Sequence, residues 1–351
     1  MTPTHINYPA RSHRPLARLA LATATCGLML VAGEVALRLF APMHLVGFPR
    51  AYEFDAELGV RAKPGVHALR TTDHQQELRV NRLGTVNFQE DFSGYRARLF
   101  ALGDSYTQGT GLPADAVYPF QLDLLLNRDA AGRYERRVAV INLGLAANGG
   151  EQSLLILRRF IEKLGRPDVV LYLGAENDGS DDAMFLRGDR HRHLVDGSPR
   201  WGATLPLARW AAETEIGKRL RVAVKRPPTS SVPAGVRSGP SVAEQQRSVF
   251  ERLKVQCRAT NTTLVVGWAA APSHSYDWLK SWAASNSVAF ADWWPAVEST
   301  RASIPELPLH NPHSGGHLRP WVNRVIAEEF ARQLEPQLSP TINSNSRGST
   351  P

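Results

Sequence analysis

The sequence has only two cysteines in 351 residues, Cys26 and Cys257, too few to build a disulfide framework. No Cys/His spacing of the zinc-site kind occurs, and neither a metal nor a cofactor is expected. His191 and His193 alternate with Arg190 and Arg192, which reads as a solvated basic loop. There is no glycine-rich phosphate loop, which argues against a nucleotide-binding flavodoxin relative. The net charge of +8 is spread along the chain without a dense Lys/Arg block, so nucleic acid is not an expected partner. No internal repeat is evident.

What is present suits a globular core of one large or two modest domains: 43% hydrophobic residues with 8 Trp and 12 Phe. Residues 1–18 carry Arg11, Arg14 and Arg18 and no acid, and Leu19–Gly33 is uncharged. The apolar character continues to Phe40 past Glu34 and Arg38, which are four apart and can pair on one helix face. This positive-then-apolar order drives export with the N-terminus left in the cytoplasm. Residues 1–18 are therefore read as a cytoplasmic basic segment and 19–40 as a single-pass anchor, long enough for the ~20 residues a span needs. A cleaved signal ending near Val31-Ala32-Gly33 is the competing reading, and it would release a secreted protein.

Residues 41–97 read as an extended, turn-rich lead-in, with a strand at Gln76–Val80. From Arg98 strands alternate with helical patterns. Strands are expected at Arg98–Leu102, Arg137–Leu143 and Asp168–Leu173, and helices at Tyr118–Asn127 and Gln152–Leu164. Residues 179–240 interrupt the rhythm with a charged loop, an amphipathic stretch at Leu205–Val224 and a Pro/Ser/Gly stretch at Pro227–Pro240. An insertion of this size is expected to form a lid or substrate wall. The rhythm resumes with a helix at Ala243–Ala259, a strand at Thr263–Trp268, a helix at Tyr276–Ser285, a short strand at Val288–Ala291 and a closing helix at Trp321–Leu334. The polar tail 339–351 is expected to be disordered. The alternation predicts a main domain over 98–338 built on a mainly parallel sheet with helices on both faces.

The stretch around which this domain is organised is Leu99–Gly109, an apolar run that ends abruptly in Gly103-Asp104-Ser105. Such folds place their sites at the carboxyl ends of strands. A serine there is either a turn residue or a nucleophile, and a nucleophile needs a base and donors for the developing oxyanion. Candidates follow in order: Asn142–Asn148 after the second strand, Gly174-Ala175-Glu176-Asn177-Asp178 after the third, and His317-Leu318-Arg319-Pro320 before the last helix. His310 and His313 compete with His317 for the base. Asp104 reads as a local brace for the serine turn. Tyr106, Trp293, Trp294 and Trp321 are candidates for the cleft wall, with core packing as the default. Cys257 reads as a buried, inert thiol.

In these four segments, over residues 98–178 and 288–334, the chain resembles the SGNH (GDSL-type) hydrolases, in particular bacterial members with an N-terminal anchor. Asp55-x-x-x-Gly59, Lys63-Pro64-Gly65 and Asn81-x-x-Gly84 in the lead-in resemble those members too. The resemblance implies a three-layer, flavodoxin-like α/β sandwich preceded by a transmembrane or signal helix. It further implies metal-free ester hydrolysis or acyl transfer, which the reading of the N-terminus places on the periplasmic side of the inner membrane. Ser105 is the implied nucleophile, with its own N–H, the Ala147 N–H and the Asn177 amide as oxyanion donors. The spacing to Ile326-Ala327 in the closing helix gives the base to His317.

Three positions depart from the family pattern. Ala147 stands where the family has glycine, Val322 replaces a second glycine, and Ser314 occupies the place of the acid that orients the histidine. Ser314 or a backbone carbonyl is left to orient His317, with Asp292 a substitute if folding brings it near. The implied substrate is a small-molecule ester. The alternatives are acyl transfer or deacetylation on an envelope or exopolysaccharide glycan, and a degenerate domain that binds a carbohydrate or acyl group.

Overall fold

The computed structural model describes residues 14–41, 51–70, 75–128, 137–187, 204–224, 242–311 and 316–344. His191, His193, His313 and Ser314, the stretch 227–240 and residues 345–351 lie outside them. In chain order the elements begin with α1 (Arg14–Phe40), β1 (Tyr52–Asp55), β2 (Gly59–Ala62), β3 (Gly65–Arg70), β4 (Gln75–Val80), β5 (Ala97–Gly103) and α2 (Ser105–Gln108). Next come α3 (Tyr118–Leu126), β6 (Val138–Asn142), α4 (Gly150–Leu164), β7 (Val169–Gly174), α5 (Asp178–Leu186), α6 (Leu205–Glu213) and α7 (Glu215–Val224). The chain closes with α8 (Val242–Ala259), β8 (Thr263–Trp268), α9 (His274–Ser285), β9 (Ala289–Ala291), α10 (Trp294–Ser303) and α11 (Pro320–Ser344).

These elements form two compact units, Met1–Leu45 with Pro206–Val232, and Val46–Leu205 with Pro233–Pro351. In the first, α1 is long and apolar enough to cross a membrane, and it is joined by α6 and α7.

The second unit is a three-layer α/β sandwich. Its sheet has the order β6-β5-β7-β8-β9, with every neighbouring pair parallel. β5, β6 and β7 are apolar almost throughout because helices cover both faces. Alternate residues of β5 feed two cores. Phe100 and Leu102 join α4, α8 and α9 through Leu157, Phe250 and Leu279. Leu99 and Ala101 join α3, α10 and α11 through Leu122, Val297 and Phe330. At roughly 1.5–3 kcal/mol for each large side chain removed from water, these two layers dominate the stability of the unit.

The strand order reverses at β5. The chain passes from β5 to β6 on one side, then crosses to β7 on the other, so a crevice opens at the carboxyl end of β5. Ser105 stands there. Loop 81–87 covers the outer edge of β6: Val86 N–H donates to the Asn142 carbonyl at 2.8 Å, and the Asn87 side chain bonds the Val140 carbonyl and the Asn142 N–H. An open strand edge would otherwise invite pairing with another chain.

Four expectations change. The lead-in contains two antiparallel hairpins, β1–β2 and β3–β4. The first is fastened to α4 by Arg159, which grips Asp55 with two bonds of 2.8 and 3.0 Å. Residues 179–186, the first of the stretch expected to be an insertion, belong to α5, which packs on α4 and α8 as part of the sandwich. Residues 206–224 group with α1 in the first unit. The closing helix continues through Pro336 and Pro340 to Ser344, so residues 339–344 of the tail are helical.

Candidate active site

Ser105 opens α2, a single turn held from several directions. Asp104 caps it, its Oδ1 accepting from the Tyr106 N–H at 2.9 Å. Thr107 bonds the Leu102 carbonyl and the Tyr118 hydroxyl, the Asn142 amide donates to the Thr107 carbonyl, and the Tyr52 hydroxyl donates to Gln108 Oε1. The turn that presents the serine is thus anchored to β5, α3, β6 and β1 together.

His317 Nε2 lies 2.7 Å from Ser105 Oγ, although 212 positions separate them in the chain. That is hydrogen-bond reach for a general base and its nucleophile. The Tyr106 ring packs against the imidazole with centroids 5.0 Å apart, and its hydroxyl reaches the Gly316 carbonyl. Of the competing histidines, His310 is exposed, pairing through its backbone with Leu318 and accepting at its carbonyl from Arg319. His313 lies outside the described residues, as does Ser314. Asp292 at the end of β9 accepts from the Tyr276 hydroxyl and from Lys280 at 2.7 Å, so its carboxylate braces α9.

The donor side is less simple than the sequence pattern. The N–H groups of Ser105 and Ala147 have no hydrogen-bond partner among the described residues. The loop carrying Ala147 runs beside the serine turn, because Leu145 N–H donates to the Gly103 carbonyl at 3.2 Å. Ala147 adopts φ 59°, the left-handed conformation that glycine tolerates, so alanine reproduces the backbone here at a conformational cost. Replacing Ala147 by Gly removes that cost of about 1 kcal/mol and returns about half of it as unfolded-chain entropy. The expected result is a Tm higher by about 1–3 °C in a thermal melt, and a lower Tm would count against the strain.

Asn177 Nδ2 donates to Asp104 Oδ2 at 3.1 Å and to Asp181 Oδ2 at 2.9 Å, so both its N–H groups are engaged. It stands beside Ser105 but must release Asp104 or Asp181 before it can serve an oxyanion.

Sequence reasoning missed the carboxylate cluster behind Ser105. Asp104, Asp178, Asp181 and Asp182 are all buried. Burial raises the Asp104 carboxyl to about 6 against the hydrogen bonds it accepts, and the Asp181 charge adds to the rise. Asp178 is raised by burial and by the Asp104 charge, and accepts from the Tyr172 hydroxyl at 2.7 Å. Burial raises Asp182 to about 7. Asn177-Asp178 at a strand end reads as ordinary helix capping, which concealed the cluster. The remaining aromatic candidates are structural: Trp293 is buried and bonds the Trp268 carbonyl, and Trp321 bonds the Pro308 carbonyl. Val322 is a core residue of α11, and burial pushes the Cys257 thiol up to about 12.

The cluster has a consequence for stability. Unfolded, these aspartates lose their protons near the ordinary 3.8, whereas folded Asp104 and Asp182 keep them to about 6 and about 7. The folded state therefore binds more protons in that window, and its stability falls as pH rises through it. Asp55 acts in the opposite sense. Burial raises it, but Arg159 and two backbone N–H groups overcome burial and hold it at about 2, so its contribution is lost on acidification below about 4. Thermal melts should accordingly give the highest Tm near pH ~4, declining toward ~7.5. A Tm that rises over that interval would contradict the assignment.

No family model and no curated protein matches the sequence. Among solved structures, the chain is similar to TesA at 14% identity, covering 69% of this chain and 99% of that one, with a TM-score of 0.40. It is similar to the psychrotrophic esterase EstA from Pseudoalteromonas sp. at 12% identity, covering 69% and 99%, with a TM-score of 0.39. A member of the lipolytic protein G-D-S-L family from Veillonella parvula matches at 9% identity, covering 67% and 96%, with a TM-score of 0.37. Likeness at this level carries no argument about chemistry, which rests on the distances above.

Proposed function

We propose that the chain is an SGNH-type serine ester hydrolase in which Ser105 attacks and His317 is the base. The observation that carries the reading is the 2.7 Å contact of His317 Nε2 with Ser105 Oγ at the sheet's switch point. In the proposed cycle His317 takes the hydroxyl proton as Ser105 Oγ bonds the ester carbonyl carbon. The carbonyl oxygen becomes an oxyanion, held by the Ser105 and Ala147 N–H groups and by Asn177 once it turns from Asp104. Collapse breaks the bond to the alkoxy group, which leaves as the alcohol with the proton from His317. Water then gives its proton to His317, its oxygen bonds the acyl carbon, and the acid departs as Ser105 recovers its proton.

An acid that orients the imidazole would complete a triad. Asp292 does not serve, being engaged by Tyr276 and Lys280, and the proposal rests on Ser105 and His317. Nothing among the described residues favours an acylated glycan over a simple ester, and the reading stops at small-molecule esters. The basic-then-apolar N-terminus supports α1 as a single-pass anchor with the remainder exported.

The test is covalent labelling of the full chain in detergent with a fluorophosphonate, followed by peptide mapping. The expected product is a single adduct on Ser105, with turnover of p-nitrophenyl acetate that the reagent abolishes. Folded protein that neither labels nor turns over ester would leave the binding-module reading standing.

A further inference from the structure

Glu34 lies near the end of α1, a membrane-length helix whose other charges between Leu16 and Phe40 are Arg18 and Arg38. A carboxylate in such a helix is costly unless it is partnered, and it marks a place with a task. Its partners here are Arg38 at 2.7 Å and two backbone N–H groups from far along the chain, those of Glu215 at 2.9 Å and Ile216 at 3.1 Å. These are the first two N–H groups of α7. The third, on Gly217, is taken by Thr214 Oγ1 at 2.9 Å. Glu34 therefore completes the cap of α7, and Arg219 of α7 donates in return to the Ala41 carbonyl just past α1.

α6 folds back tightly on α7. A Cβ on Gly217 would fall 1.8 Å from the Ala211 carbonyl oxygen, so only glycine permits the approach. The resulting hairpin leaves apolar side chains unpartnered: Leu207 and Trp210, one helical turn apart on α6, are 68% and 66% exposed, and Leu220 on α7 is 60% exposed. Large apolar side chains left exposed on a hairpin fastened to a membrane-length helix mark an interaction surface.

We propose that the α6–α7 hairpin is a membrane-interface element, and that the occupant of its apolar face is the bilayer surface beside the retained anchor. The argument is continuity. The hairpin is fastened to α1 over Glu34–Ala41, the final turns of the span, which sets it at headgroup depth. Tryptophan is favoured at that depth and leucine partitions just below it. The capping bond also calls for an intact α1, because a leader cleaved after Gly33 would leave Glu34 at a free N-terminus with no helix to hold it against the Glu215 and Ile216 N–H groups.

The experiment uses the full chain reconstituted in phosphatidylcholine/phosphatidylglycerol vesicles, in a Cys26→Ser background with Cys257 buried. An NBD label is attached through Trp210→Cys or, separately, through Leu220→Cys, and intact mass confirms that residues 1–40 remain. The expected result at both positions is blue-shifted emission, quenched about three-fold more by shallow doxyl-lipids than by aqueous iodide. Glu34→Ala should reduce the lipid quenching at both. Water-like emission quenched mainly by iodide would overturn the proposal. So would loss of residues 1–40 on maturation, or a blue shift that lipid does not quench and that grows with protein-to-lipid ratio, since that would make the occupant a second copy.

Discussion

Replacing His317 by alanine is expected to lower kcat for p-nitrophenyl acetate by about 10³-fold or more, with KM little changed. The free serine hydroxyl is too weakly acidic to attack an ester at neutral pH, and His317 Nε2 is the basic nitrogen 2.7 Å from Ser105 Oγ. Ser105→Ala should cost as much and also remove fluorophosphonate labelling. The sharper outcome concerns the pair. If nucleophile and base act as one unit, the double variant is no slower than either single variant, because the second loss removes a partner with nothing left to assist. Multiplicative losses in the double variant would show that the two residues act separately, and would sink the proposed mechanism. Residual turnover in the double variant measures what the Ser105 and Ala147 N–H groups contribute without a nucleophile. Asn177 adds to that residue only when it turns from Asp104 or Asp181, so Asn177→Ala is expected to be a smaller loss than His317→Ala.

The parts of the candidate site that were legible in the sequence share one property. Ser105, Asn177 and His317 lie at ends of strongly patterned elements, where an apolar run stops or a helix begins, and the parallel sheet brings such ends to one edge. Asp178, Asp181 and Asp182 sit in the first turns of α5, where acids suit any helix, so their burial against Asp104 left no local trace. The left-handed backbone of Ala147 is imposed by the loop around it, and alanine gives no sign of it. Pro336 and Pro340 ordinarily end a helix, yet α11 runs through both, because Phe330, Leu334 and Leu338 remain packed in the core. The grouping of α6 and α7 with α1 depends on a carboxylate about 180 positions before the N–H groups it caps. A periodic pattern shows which face of a helix is apolar and is silent about what covers it.

Gly103→Ala is expected to destabilise the protein by about 3–5 kcal/mol, read as a large fall in the urea midpoint. Two costs coincide there. The backbone sits at φ 148°, which an L side chain rarely adopts, and the added Cβ would meet Thr107 Oγ1 at 2.3 Å and the Leu173 carbonyl oxygen at 2.7 Å. Neither neighbour can yield cheaply. Thr107 is tied to the Leu102 carbonyl and the Tyr118 hydroxyl, and Leu173 is in β7, paired directly with Gly103. Gly84→Ala separates the two costs, since φ there is 88° but a Cβ would meet nothing within 4 Å. Only the backbone cost of about 1–2 kcal/mol is expected for it. Equal losses in the two variants would mean that the turn before Ser105 relaxes freely, and the close approach of β5, β7 and α2 would then not be what fixes Ser105. The predicted inequality makes Gly103 the residue that lets the strand stop against Leu173 and aims the next two side chains: Asp104 inward to the carboxylate cluster, Ser105 outward to His317.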